Sequence, residues 1–192
     1  MSSRHWFHFY LARFCRTLSL DGIAATQYRR AFAINPDFAL APASLGVLMA
    51  ARGRYDEAVS AFREALAVDP ANAETWFNLG YVQQRQGELD GAVESFRSAV
   101  KIDSALDRAW FGMGLIHRAR NEPAKAVEVL KKAAALQPKN PHVLHELGMA
   151  YFALNNLDQV RKTIKQLSEL DGRRSRALMR ETGQLAEGGP RP

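Results

Sequence analysis

The chain has 192 residues, a formal charge of +6 and a sequence pI near 9.7, with one cysteine, Cys15, which excludes an intrachain disulfide and fits a reducing, cytoplasmic setting. The longest uncharged run, 38–51, contains Pro42 and is too short to span a bilayer. Arg13 and Arg16 interrupt the aromatic N-terminal stretch before the core of an export signal is complete.

After a leader at 1–4, displacing the sequence against itself by 34 residues brings Ala24, Ala58, Ala92 and Ala126 into register. The same displacement aligns Ala31, Ala65, Ala99 and Ala133, and it aligns Gly46, Gly80, Gly114 and Gly148. A fixed period of this length marks stacked units that bury their apolar faces against neighbours, so core accumulates along a line. Five units without insertions fit: 5–38, 39–72, 73–106, 107–140 and 141–174. The second and third are net acidic, and the basic surplus falls toward both ends, so no continuous cationic stripe favours nucleic acid.

Each unit reads as two helices. In the third, Trp76, Leu79 and Gln83, then Leu89, Val93, Phe96 and Val100, recur at three- and four-residue steps. Gly87 breaks the pattern, and its counterparts are Ser19, Gly53, Asn121 and Asn155, mostly residues that tolerate the left-handed backbone of a helix end. Asn35-Pro36, Asp69-Pro70 and Gln137-Pro138 punctuate the unit ends, and Pro123 suits the first turn of a second helix. Small residues such as Gly80 and Ala92 predict close helix approach, with Phe62, Phe96, Leu130 and Ile164 filling the space behind them. Val160 and Leu167 replace small residues in the last unit, as suits a unit that meets no further copy of itself. After it, 175–187 reads as a capping helix with Ala177, Leu178 and Leu185 turned inward, and 188–192 as a disordered tail.

Trp-x-x-Leu-Gly followed by Ala, Phe, Ala and Pro at set offsets resembles the tetratricopeptide repeat, over residues 5–174. The resemblance implies an all-α, right-handed α-solenoid of stacked helix-turn-helix hairpins with a C-terminal capping helix. It departs from the pattern at Gln83, where the family has tyrosine, and at His8 and Pro42, where it has tryptophan.

No phosphate loop, nucleophile elbow or catalytic triad is visible, so no enzyme activity and no cofactor are expected. His5, His8 and Cys15 could sit near one another on one helix but lack a fourth metal ligand, and His142 with His145 reads as groove-lining polar residues.

The family resemblance implies a concave groove lined by first helices, taking a peptide or a partner helix. The site residues it implies are Phe77, Asn78, Tyr81 and Arg85, then Arg108, Phe111, Leu115 and Arg118. The family's two-carboxylate clamp is mostly gone, since Ala43, Val47 and Gly112 stand at its positions beside Asn78 and Arg108. The expected ligand is therefore a partly apolar protein or peptide with an acidic anchor near Arg108. The phenylalanines Phe77 and Phe111 have packing as their competing role, and Tyr81, polar at its tip, is the stronger contact residue. Alternatives are a substrate-recruiting arm of a transferase complex and, less favoured, a nucleic-acid-binding solenoid. Self-association through the N-terminal aromatic repeat is a further expectation.

Overall fold

The computed structural model describes residues 3–184. These form helices α1 (Arg4–Thr17), α2 (Asp21–Ile34), α3 (Leu40–Ala51), α4 (Tyr55–Val68), α5 (Ala73–Gln86) and α6 (Leu89–Ile102). They continue as α7 (Asp107–Ala119), α8 (Pro123–Leu136), α9 (Pro141–Ala153), α10 (Leu157–Leu170) and α11 (Gly172–Glu181), with no strand among the described residues. Two compact units result, Met1–Ser104 with α1 to α6 and Ala105–Pro192 with α7 to α11.

Every expected hairpin break adopts the left-handed conformation. Ser19, Gly53, Gly87, Asn121 and Asn155 have φ of 59°, 71°, 83°, 55° and 56°. At each, the amide of the following residue reaches five residues back, as in Glu88 N to Gln83 O at 2.9 Å and Asn156 N to Tyr151 O at 3.0 Å. That bond satisfies a carbonyl the helix end leaves open and reverses the chain in two residues. The hairpin is thus closed locally, before any contact between hairpins is made. Unit ends take the other solution: Asn35, Asp69, Asp103, Gln137 and Asp171 all leave the helical region with φ between −126° and −149°, and Asn35, Asp103 and Asp171 are extended.

In the first unit, α1 packs on α2, α3 on α4 and α5 on α6, and the hairpins join through α2 against α3 and α4 against α5. The alanines at the helix crossings, Ala24, Ala58 and Ala92, are fully buried. Opposite them a Cβ on Gly46 would stand 2.6 Å from the Phe62 ring, and one on Gly80 2.8 Å from Phe96 and 3.1 Å from the Ala92 carbonyl. The missing side chain is what admits the phenylalanine.

In the second unit α7 packs on α8, α8 on α9 and α9 on α10, while α11 lies against both α9 and α10. Gly114 sits under Leu130 in the same way, 2.5 Å from a built Cβ, but Gly148 does not sit under Ile164 as the repeat suggests. Its slot is filled by Leu178 of α11, again at 2.5 Å. Leu178 is fully buried with Val160 and Leu167, so the large residues of the last unit are covered by α11. This helix starts at Gly172, inside the span given to the fifth unit, because the Asp171 side chain caps it by accepting from the amides of Arg173 and Arg174 at 3.0 and 3.1 Å. Leu185 and the tail 188–192 lie outside the described residues.

Ser19 is the one break residue that is neither glycine nor asparagine. Ser19→Gly is expected to raise stability by about 0.5–1 kcal/mol in urea unfolding by relieving its left-handed strain. Gly80→Ala, driven into Phe96 and a backbone carbonyl, is expected to lower it by roughly 1–3 kcal/mol.

Candidate functional site

Phe77, Asn78, Tyr81 and Arg85 belong to the first unit, all on α5, which starts at the Asn72 cap, where the side chain accepts from Thr75 N at 2.9 Å. Steps of three and four residues put them along one side of the helix. Their surroundings differ. Phe77 is half-buried and packs on the Phe96 ring with centroids 5.7 Å apart, so much of its surface belongs to the hairpin core. Asn78 is half-buried one residue on.

Tyr81 is 43% exposed, and Arg85 Nη1 donates to its hydroxyl at 3.1 Å. The same guanidinium lies 5.5 Å from the centroid of the Tyr55 ring, a cation–π contact. The Tyr81 hydrogen bond and, next, the charge interaction with Tyr55 push the Arg85 pKa further up. A cation held between two tyrosines is oriented before any ligand arrives, which lowers the cost of ordering it on binding. Helix α3, which touches α5, leaves Leu40 and Val47 outside at 48% and 40% exposure. Val47 and Tyr81 hold the same place in successive repeats, so an exposed aliphatic side chain and an exposed aromatic one follow each other from α3 to α5.

Arg108, Phe111, Leu115 and Arg118 belong to the second unit, all on α7. Arg108 and Arg118 are exposed, and Leu115 is half-buried. Phe111 is also half-buried, packed against the cluster of Ala126, Leu130, Leu147 and Ala150. Arg118 faces Glu146 of α9, Nη1 to Oε2 2.7 Å, so an acidic ligand reaching Arg118 has a carboxylate to displace.

His142 and His145 do not simply line a groove. His142 Nε2 is 2.9 Å from Arg174 Nη2, and His145 Nε2 is 3.4 Å from Glu181 Oε2, so both attach α9 to α11. At the other end of the chain, His8 Nδ1 meets Gln27 Oε1 at 2.6 Å, His5 packs edge-on against Phe38 and Cys15 is buried. Among the described residues no group of three metal-ligating side chains comes together.

Three residues important to these faces were not marked by the sequence. Tyr55 stands where other repeats carry half-buried Leu89 and Leu157 of the apolar stripe, so its periodicity spoke for packing. Glu146 meets Arg118 from a different helix, a pairing that no local spacing reports. Tyr151, whose phenol burial pushes up in pKa, lines a shallow cavity of the second unit with Ala134, Leu144 and Lys162.

The described residues thus form an all-helical repeat protein whose hairpins turn at left-handed residues and whose first helices expose aromatic, aliphatic and arginine side chains. The chain belongs to the tetratricopeptide repeat family: models of that repeat match residues 22–66, 48–87, 73–106 and 117–180. Among solved structures, the MamA protein shares the fold at a TM-score of 0.81 and 19% identity, with 100% of both chains covered. YrrB, described as a tetratricopeptide repeat protein with an unusual peptide-binding site, matches at a TM-score of 0.77 and 17% identity over 93% of this chain and 91% of its own. PilF of Pseudomonas aeruginosa matches at 0.76 and 23% identity, covering 94% of this chain and 83% of its own. At these identities the likeness is one of fold. No curated protein matches by sequence. Among the described residues no helix is long and apolar enough to cross a membrane.

Phe77→Ala is expected to cost about 2 kcal/mol of unfolding free energy through its packing on Phe96, whereas Tyr81→Ala should stay within about 0.5 kcal/mol. Chemical denaturation of the two variants side by side checks this.

The amides of Arg174 and then Arg173 hold the Asp171 carboxyl below its usual range. A carboxyl lowered on folding contributes stability that is present above its unfolded pKa and lost as pH falls through the folded one. Asp171→Asn, which keeps a capping oxygen without the charge, should flatten the fall of the thermal midpoint on the acid side.

Proposed function

We propose that this protein is a non-enzymatic interaction module that takes an apolar peptide or helix with an acidic anchor on the exposed sides of its first helices. The observation that carries the reading is the Tyr55–Arg85–Tyr81 cluster, with exposed Leu40 and Val47 on the neighbouring α3. Tyrosine and arginine are the side chains that most often supply binding energy, because they bury large area and still satisfy a polar partner. Exposed apolar neighbours exclude water around such a pair, and an arginine already held in place meets a carboxylate with little ordering cost. In the second unit, Arg108 on α7 offers the acidic anchor, with Leu115 beside it on the same helix. The printed description of YrrB, a repeat protein of the same fold with a peptide-binding site, agrees with a ligand of this kind. Lone Cys15 suits a cytoplasmic location. Further copies of this chain, as partners, would meet through the aromatic first repeat rather than these faces.

The test is a peptide selected against this protein from a random display library, with affinity followed by fluorescence anisotropy. Tyr81→Ala with Arg85→Ala is expected to weaken it at least tenfold while leaving helicity and the thermal midpoint unchanged. Arg108→Glu should weaken peptides with acidic residues and spare their neutral analogues. Unchanged affinity in both variants would remove these faces from the account.

A further inference from the structure

Two positions of the first helix of each repeat, seven residues apart, face the preceding hairpin. They hold Ala41 and Leu48 in α3, Thr75 and Val82 in α5, and Val143 and Ala150 in α9, all between 0% and 4% exposed. In α3, α5 and α9 the second helix of the preceding hairpin packs against the same helix. In α1 these positions are Phe7 and Phe14, and they stand 64% and 60% exposed. With Leu11, half-buried, and Leu18, 54% exposed, they form an unbroken stripe at four- and three-residue steps, the spacing of a helix-pairing seam. Leu20 and Ile23, at the start of the adjoining α2, extend it at 45% and 49% exposure.

We infer that this stripe is the interface of a two-fold dimer in which α1 pairs antiparallel with α1 of a second copy. Four observations select that occupant.

First, the side chains are the wrong size for another regular repeat. A preceding hairpin at ordinary spacing lies over Ala41 with Leu48, Thr75 with Val82, or Val143 with Ala150, each pair holding at least one small side chain, and two phenylalanines there would overpack it. Second, the stripe is self-complementary. A dyad passing between Tyr10 and Leu11 sets Phe7 of one copy opposite Phe14 of the other twice over and brings the two Leu11 side chains together near the axis, as an isologous contact requires. Antiparallel pairing also lays each helix's positive N-terminal end beside the partner's negative C-terminal end.

Third, the opposite terminal helix cannot serve as the mate. The apolar side of α11 is spent on α9 and α10, with Leu178 fully buried, and the helix exposes Arg173, Arg176 and Arg180. Because α1 carries Arg4, Arg13 and Arg16 and no carboxylate, a head-to-tail contact would set cation against cation, and the association closes as a dimer instead of growing into a filament. Fourth, the area is adequate. The exposed parts of these aromatic and aliphatic side chains amount to on the order of 600 Å² per copy, most of the roughly 800 Å² that a standard interface buries on each side.

The like charges on the two α1 helices lie beside the apolar seam, so added salt screens their repulsion and tightens the dimer. Binding of an acidic partner or an anionic membrane would weaken under the same change.

Sedimentation of the full chain through the micromolar range, at low and high salt, should show a species of twice 21.4 kDa that gains population with salt. Phe7→Glu with Phe14→Glu should weaken the dimer at least tenfold, with far-ultraviolet dichroism, thermal midpoint and affinity for a groove-selected peptide unchanged. In a Cys15→Ser background, Phe7→Cys chains should crosslink with Phe14→Cys chains and neither kind with itself. A wild-type monomer at every concentration overturns the inference, as does a dimer that survives the double glutamate variant or cysteines that crosslink like with like. Partition of a monomeric wild-type chain onto phosphatidylserine vesicles, lost in the glutamate variant, would assign the stripe to a membrane and overturn the dimer. Loss of the dimer with peptide capture intact separates this contact from the groove.

Discussion

In the second, third and fourth hairpins a glycine of the first helix lies under a large side chain of the second, and that close approach is the contact on which the rest depends. At Gly80 a single added carbon would collide with both the Phe96 ring and the Ala92 carbonyl. Two backbones this near fix the relative position of the helices, because a packed ring cannot slide without opening a void or meeting the next turn. The left-handed turn residue prepares that contact: with the chain reversed in two residues, the second helix has little freedom in where it begins. Packing then selects the one placement that seats the ring, and the exposed side of the first helix is left pointing outward as a consequence.

The two terminal helices handle the same problem in opposite ways. A repeat always ends with an apolar face that lacks its next neighbour. In the second unit α11 supplies one: Leu178 enters the slot over Gly148, Val160 and Leu167 close behind it, and Asp171 fixes where the helix starts. His142 and His145 add polar ties from α9 to Arg174 and Glu181. In the first unit α1 turns Phe7 and Phe14 outward instead. The difference lies in side-chain choice, since α1 carries apolar residues on both of its sides whereas α11 exposes Arg173, Arg176, Arg180 and Glu181 to solvent.

Much of the candidate site was readable because first-helix positions repeat with the period. Tyr81, Arg85, Arg108 and Leu115 take their order along α5 and α7 from helical spacing alone. What periodicity does not carry is the identity of each neighbour. Phe77 and Tyr81 are one turn apart on the same helix, yet one rests on Phe96 and the other stays out with Arg85, a division set by the ring across the hairpin. Glu146 opposite Arg118 and Tyr55 beneath Arg85 come from other helices, at sequence distances that no local pattern reports.

The sequence by itself determined the period, the hairpin, its turn residues and the small positions at the crossings, because these depend on backbone conformation and side-chain size within some thirty residues. Only the tertiary structure decided that Leu178 and not Ile164 seats on Gly148, that the two histidines of α9 serve α11, and that Arg85 is held between two tyrosines. Those outcomes are contests between side chains for one space or one charge. They are settled by distances between helices, which a repeat pattern leaves open until the helices are packed.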